Sequence, residues 1–339
     1  MPHPSVHARA VLANIMHHRR LAVGLLLFAL IGAVCIANPS FASLQNLRDL
    51  LVQSAPVVIV GCAMTFVVLT GEIDISAGSL LGVLAALMGV LASPLHLGLP
   101  APVVIALTLL AGMTVGLVNG LLITVGRVPS IVATLGMLTI LRGITELVLG
   151  GNWITDLPHS IRVLGTGTIA GIPVCVVVAA LIAGVLLIVA QATPLGMRLR
   201  AVGGNADAAA LARISVVRVK LFAFTLVGLL TGVAALVCVP QQSVIESGIG
   251  VGFELVVVTA VVVGGTSIRG GLGGILGTVL AALLLGSIRT ALVFLNIGEM
   301  ATFWERAIQG AFILAAVLVD HFGRAAANRR SSRIVGATA

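Results

Sequence analysis

Residues 173–192 read PVCVVVAALIAGVLLIVAQA, a run of twenty residues without a single charged side chain. A helix needs about 20 mainly apolar residues to cross a bilayer, so this run predicts a transmembrane helix. Similar apolar runs recur along the chain, and Pro, Gly and charged residues separate them. The sequence therefore predicts an all-α integral membrane protein.

The composition of the chain points the same way. Of its 339 residues, 59% are hydrophobic and 9% are charged, and the mean hydropathy is +1.20. A soluble domain carries about 25% charged residues, so a soluble enzyme and a disordered chain are both excluded. The 40 glycines suit helices that approach one another closely in a membrane.

We predict ten membrane spans. They cover residues 21–37, 53–70, 76–93, 101–125, 129–150, 173–192, 221–239, 253–268, 272–295 and 303–319. Irregular breaks are expected near 71–75 and 264–274, where polar residues and glycines interrupt the apolar pattern. The first span could instead be a cleaved signal peptide, but its apolar run of about 17 residues exceeds the usual length, so a retained helix is expected.

The basic residues orient this arrangement. The net charge is +8, but the cations lie in short stretches between apolar runs, which argues against a nucleic-acid surface. With ten spans, 14 of the 19 Arg and Lys residues lie on the same side of the membrane as both termini, whereas Arg48 and Arg162 lie on the opposite side. The other three lie inside spans or at their ends. Cytoplasmic loops collect Lys and Arg, so both termini are predicted to be cytoplasmic. A single membrane domain over 21–320 then lies between cytoplasmic tails at 1–20 and 321–339, with a cytoplasmic loop at 193–220.

Motifs for catalysis, nucleotide binding and metal binding are absent from the sequence. The phosphate-binding pattern GxxxxGK[ST] does not occur, since the only lysine, Lys220, precedes Leu221. The four cysteines are far apart and lie in apolar runs. We therefore expect no catalytic residue, no metal and no cofactor, and we expect that the chain is not an enzyme.

Glycines at four-residue spacing predict close helix contacts. They form three rows, Gly112–Gly116–Gly120, Gly228–Gly232 and Gly273–Gly277.

The break at 70–79 carries two carboxylates, which are costly at membrane depth. One interpretation is a short cytoplasmic turn in which Asp74 or Ser76 caps the next helix. The other is a broken helix beside a transport pathway. Glu72 and Asp74 would diverge by about 200° on a helix, so they do not form a catalytic dyad.

Other polar residues also fall inside predicted spans. Asn119, Thr134 and Glu254 are isolated, whereas Arg142 and Glu146 lie one helical turn apart. The latter two are expected to form a structural ion pair, or else to line a polar pathway.

Four stretches carry a resemblance to a known family: LTGEIDISAGS (69–79), VNG (118–120) with VPSIVATLGM (128–137), GMRLRAVGGNADAA (196–209) and VGGTSIRGGLGG (263–274). They resemble the permease subunits of ATP-binding-cassette sugar importers, in the branch that contains ribose, rhamnose and autoinducer-2 permeases. Two positions depart from the family pattern. Glu72 stands where many members carry Gly, and Arg213 stands where relatives often carry Gly.

The resemblance implies a subunit of the bacterial inner membrane that forms the translocation path for a sugar. It implies as partners a second permease subunit, identical or related, cytoplasmic ATP-binding subunits and a periplasmic sugar-binding protein. The substrate-pathway candidates are Glu72, Asp74, Ser76, Asn119 and Thr134.

Loop 193–220 is implied to dock into the ATPase. Gly203 and Gly204 are expected to form a sharp turn, and Asn205 is a good N-cap for a short alanine-rich helix with Asp207 in its first turn. Together with Ala208 and Ala209, these residues are the candidates for coupling to the ATPase.

The alternative function is a stand-alone proton-coupled secondary transporter that uses Glu72, Asp74 or Glu254 as proton carriers.

Overall fold

The computed structural model describes residues 6–295, 300, 303–315 and 318, with side chains from residue 21 onward. The helices are α1 (Val6–Ala37), α2 (Leu44–Leu69), α3 (Ala77–Ala92), α4 (Ala101–Thr124), α5 (Ser130–Leu149), α6 (His159–Thr166), α7 (Val174–Ala192), α8 (Pro194–Gly204), α9 (Ala206–Leu211), α10 (Val216–Cys238), α11 (Phe253–Val263) and α12 (Ile275–Phe294). A further helix, α13, covers 303–315. Strands β1 (Thr168–Ile169) and β2 (Ile172–Pro173) form a small antiparallel hairpin before α7.

Six of these helices are long and apolar enough to cross a membrane, namely α2, α4, α5, α7, α10 and α12. Shorter apolar helices cover Leu21–Ala37, Ala77–Ala92 and Phe253–Val263. The prediction of an all-helical membrane protein is therefore confirmed in its coarse form. The tail predicted at 321–339 and part of the last span lie outside the described residues.

Helix α1 begins at Val6, and its apolar part, Leu21–Ala37, matches the predicted first span. Two other helices begin earlier than their predicted spans. Helix α2 begins at Leu44 rather than at 53, because Ser43 caps it by accepting from the amide of Asn46. Helix α10 begins at Val216 rather than at 221, because Ser215 accepts from the amide of Arg218 in the same way.

Both predicted breaks are confirmed. Residues 70–76 separate α2 from α3, and residues 264–274 separate α11 from α12. Gly71 in the first break and Gly265, Gly270, Gly271 and Gly273 in the second have positive φ angles. These backbone conformations are open to glycine and strained for other residues, which is why the glycines end the helices here.

The predicted eighth span, 253–268, does not form a single helix long enough to cross a membrane. Helix α11 has only eleven residues, about 16 Å of rise, which is too short to cross a bilayer. The preceding residues 242–252 are irregular and run along α3: Ile245 lies against Gly89, and Gly250 lies against Gly78 and Gly82. Irregular backbone at such depth is tolerated where protein buries it or where it borders a wet cavity. The small residues of α3 supply the space for it.

The first two glycine rows bring α4 and α10 into close contact. A Cβ at Gly112 would overlap the carbonyl oxygen of Gly228, and a Cβ at Gly116 would overlap that of Phe224. Gly277 meets Gly264 in the same way. The prediction of close packing at these rows is therefore confirmed.

Helix α2 forms the centre of the bundle. Nearly all of its residues from Ser54 to Leu69 are buried, and α7, α10, α11 and α12 pack around it. Its last residue, Leu69, therefore lies in the interior at the point where the first break begins.

Candidate functional site

A buried polar network occupies the first break. Asp74 is 1% exposed and Ser76 and Asn119 are fully buried. The Oδ1 atom of Asp74 accepts from the Ser76 amide at 2.9 Å and from the Ser76 hydroxyl at 2.6 Å. The Ser76 Oγ in turn accepts from Asn119 Nδ2 at 2.9 Å. The network therefore ties the break to the C-terminal part of α4 and joins three of the five pathway candidates.

Thr134 lies on the other side of the same break. Its hydroxyl donates to the carbonyl of Ser130 at 2.8 Å and lies 3.5 Å from the carbonyl of Ile73. The amide of Ile73 donates to Ser130 Oγ at 3.4 Å. The start of α5 thus holds the break from the side opposite to α4.

Glu72, the fifth candidate, points away from this network. Its carboxylate forms an ion pair with Lys220 of α10, with the two side chains 16% and 18% exposed. Because the pair is largely shielded from water, its attraction is stronger than that of a surface pair. The carboxylate of Glu72 therefore has its counter-ion, Lys220, within the same chain.

Loop 193–220 consists of α8, α9, a short connection and the first residues of α10. The N-cap at Asn205 is confirmed, since its Oδ1 accepts from the amide of Ala208 at 2.9 Å, and Asp207 lies in the first turn of α9. Ala209 is buried, whereas Asp207 and Ala208 are exposed. The predicted sharp turn at Gly203 and Gly204 is wrong, because both residues belong to the end of α8.

The reason for glycine at 203 is contact rather than a turn. A Cβ there would overlap the carbonyl oxygen of Leu69 and lie 2.6 Å from the amide nitrogen of Gly271. A Cβ at Gly270 would lie 2.9 Å from the Cα atoms of both Gly71 and Gly203. We call this set, Leu69, Gly71, Gly203, Gly270 and Gly271, the glycine junction. It places the end of α8 directly on both breaks.

The ion pair predicted between Arg142 and Glu146 is not formed within the described part of the chain. Arg142 Nη1 instead donates to the carbonyl oxygens of Ser247 and Ile249, at 2.8 Å and 3.1 Å, and Glu146 is exposed. The irregular segment 242–252 leaves carbonyls without helical donors, and the guanidinium satisfies two of them. Residue spacing on a helix could not reveal this partner.

Sequence reasoning also missed Lys220 and the second half of the glycine junction. Lys220 is the only lysine of the chain, and that rarity near a membrane boundary was an available signal. The contact of Gly270 and Gly271 with α8 had no signal in the sequence, since it joins segments about 70 residues apart.

The chain is similar to known permeases over most of its length. A family profile described as "Branched-chain amino acid transport system / permease component" matches residues 46–317. The chain is 37% identical over 297 residues to the ribose import permease protein RbsC of Bacillus subtilis, covering 87% of this chain and 90% of that protein.

Two relatives that are named for other substrates are nearly as similar. The L-arabinose ABC transporter permease protein AraH of Azospirillum brasilense is 34% identical over 309 residues, covering 90% of this chain and 88% of that protein. The autoinducer 2 import system permease protein LsrC of Enterobacter sp. is 33% identical over 313 residues, with 91% and 88% covered. No solved structure matches the chain.

The match of the profile spans both breaks, the polar network and loop 193–220. The chain therefore belongs to the family of membrane-embedded transport-system permease components.

Proposed function

We propose that the chain is the permease subunit of an ATP-driven importer of a sugar or sugar-like small molecule in the bacterial inner membrane. The observation that carries this proposal is the similarity, over 87–91% of the chain, to permeases named for ribose, L-arabinose and autoinducer-2 import. The glycine junction supports it, because it connects an exposed loop to two breaks in the helix bundle.

The finer topology is part of the proposal. Ten crossings would place both termini and loop 193–220 in the cytoplasm, and the distribution of Arg and Lys supports this. Segment 242–252 together with α11 completes one crossing, and α13 begins the last. The helix bundle then has an outer end at Ala92 of α3 and a cytoplasmic end at the glycine junction.

Coupling to ATP hydrolysis is assigned to loop 193–220. Gly203, Gly204, Asn205, Asp207, Ala208 and Ala209 form the coupling set, in which Asn205 and Asp207 are exposed on the surface that an ATP-binding subunit would contact. A displacement of α9 would reach both breaks through α8, because Gly203 rests on the Leu69 carbonyl. Closure of the ATPase pair would then shift the equilibrium between outward-facing and inward-facing states.

The remaining partners are a second permease subunit, identical or related, and a periplasmic sugar-binding protein that delivers the substrate. Two permeases would together enclose the translocation path.

The pathway residues are assigned to the first break. Glu72, Asp74, Ser76, Asn119 and Thr134 surround an irregular segment within the bundle, where polar groups are expensive unless they serve a function. The network of Asp74, Ser76 and Asn119 is closed in this structure. It would form a polar wall at the cytoplasmic end of the path when the break moves.

Reconstitution tests the function. The chain would be purified with its ATP-binding subunits and binding protein, and uptake of labelled D-ribose, L-arabinose and autoinducer-2 would be measured in proteoliposomes with and without ATP. Uptake that requires ATP supports the proposal. Uptake by the chain alone under a pH gradient would instead establish a proton-coupled secondary transporter.

The first break is tested in the same assay. Asp74→Ala should lower uptake at least tenfold while the complex still assembles, because the carboxylate organises the buried network. Asp49→Ala is the matched control, since Asp49 is an exposed acidic residue of α2. Normal uptake by Asp74→Ala would contradict the assignment of this break to the pathway.

A further inference from the structure

A large cavity opens beside the irregular segment 242–252. It holds about 730 Å³ and lies between segment 249–253, α11, α12 and α13. A smaller cavity of about 180 Å³ adjoins it, between α2, α12 and α13. Both are bordered by Pro56, Phe253 and Val256, so together they form one hollow that we call the outer cavity.

Three polar side chains stand on the shared wall of the outer cavity. Arg289 of α12 and Glu305 and Gln309 of α13 line both parts. Arg289 Nε lies 3.8 Å from Glu305 Oε2, and Gln309 Nε2 donates to Glu305 Oε1 at 3.1 Å. This wall presents a guanidinium, a carboxylate and an amide within one small region.

A fourth polar group has no partner of its own. Ser54 of α2 lines the smaller part of the outer cavity and is 1% exposed. Its hydroxyl finds no hydrogen-bond partner among the described residues. An unpaired buried hydroxyl costs stability, but the Oγ atom is itself fully buried, so a ligand in the cavity does not reach it.

The position of these groups within the helices makes their polarity expensive. Arg289 lies five residues before the end of α12, about 8 Å inside it, and Ser54 lies ten residues after the start of α2, about 15 Å inside it. Ionisable side chains within membrane helices usually serve a substrate or ion pathway. Pro56 adds local irregularity, since it has no amide to donate to the carbonyl of Val52.

We propose that the outer cavity is a binding subsite for a polyhydroxylated small molecule, entered from the outer face. This inference rests on the proposed function, which defines the outer face and the class of substrate. Glu305 accepts hydrogen bonds from ligand hydroxyls, while Arg289 and Gln309 donate to ligand oxygens. Leu81, Val256 and Ile313 on the opposing walls contact the C–H faces of such a molecule.

Water accessibility is tested first. The native residues Cys35, Cys62, Cys175 and Cys238 are replaced by Ala, and Gln309→Cys is added in the full complex in right-side-out vesicles. A membrane-impermeant methanethiosulfonate added outside should label this thiol, and 100 mM D-ribose or L-arabinose should slow the labelling at least threefold. Leu181→Cys is the control, because Leu181 is 67% exposed on α7 and lines neither part of the outer cavity. Labelling of both positions alike, or of neither, would overturn the inference.

Uptake kinetics test the hydrogen bonds. Ser54→Ala is the control, because it removes a hydroxyl that has no partner among the described residues and that a ligand does not reach. Its KM and kcat should both stay at the wild-type values. Gln309→Ala should raise KM about tenfold. A wild-type KM in Gln309→Ala, in a complex that transports sugar, would overturn the subsite. Absence of ATP-driven sugar uptake by the wild-type complex would instead overturn the proposed function, and labelling without sugar would still decide whether the cavity opens outward.

Discussion

The amide of Gly271 donates a hydrogen bond of 2.9 Å to the carbonyl oxygen of Leu69. Leu69 ends α2 and Gly271 lies in the second break, so this bond joins the two irregular segments directly. Gly203 at the end of α8 packs over the same carbonyl. A single carbonyl oxygen therefore connects loop 193–220 with both breaks.

Substitution of Gly203 tests this contact. Gly203→Ala should lower the thermal unfolding midpoint in detergent by several degrees, because the new methyl group overlaps the Leu69 carbonyl and backbone must move. Gly204→Ala is the control, since a Cβ there meets no atom within 4 Å and alanine favours a helix over glycine. Equal midpoints for the two variants would contradict the junction.

The ion pair of Glu72 and Lys220 is tested by a double-mutant cycle. Glu72→Gln and Lys220→Met should each cost about 1–2 kcal/mol of unfolding free energy, between the values for exposed and buried pairs, because the remaining charge is only 16–18% exposed. The double variant should cost less than the sum of the two single variants. Strict additivity would mean that the pair contributes no coupling.

Arg142 should matter to the irregular segment, and Glu146 should not. Arg142→Met removes the donor that serves the carbonyls of Ser247 and Ile249, which should cost about 1–3 kcal/mol. Proteolysis within 242–252 should become faster as well. Glu146→Gln should leave both the unfolding free energy and the rate of proteolysis unchanged. Equal losses of stability in the two variants would instead support the ion pair expected from their spacing.

Arg213 occupies a strained backbone position, with φ of 60°. A left-handed conformation costs a non-glycine residue about 1–2 kcal/mol, and the greater freedom of glycine in the unfolded chain offsets about 0.4–1 kcal/mol of this. Arg213→Gly should therefore raise the thermal midpoint by a small amount. Arg198→Gly, in the interior of α8, should lower it. A lower thermal midpoint for both variants would show that the left-handed backbone at Arg213 does not destabilise the protein.

Much of the fold followed from local features of the sequence. The apolar run at 173–192 became α7 within one residue, and glycine-rich breaks appeared at 70–76 and 264–274. The N-cap at Asn205 formed as expected. Each of these depends on neighbours within about one helical turn, or on the length of an apolar run, and both are visible in a single sequence.

Contacts between residues that are far apart in the chain could not be predicted from the sequence. Arg142 had Glu146 available one turn away but donates to carbonyls that segment 242–252 brings alongside it. Gly203 looked like a turn residue, yet its role is to admit the Leu69 carbonyl. Both errors arose because a local interpretation was available and the true partner lay far away in the chain.

By itself, the amino-acid sequence determined that this protein lies in a membrane, where its main apolar helices lie and where two breaks interrupt them, since hydrophobicity and glycine act over short distances. Only the tertiary structure decided that loop 193–220 rests on both breaks and that Arg289, Glu305 and Gln309 line a single hollow. Those relationships depend on how whole helices pack, which is set by the combined shape of many distant side chains.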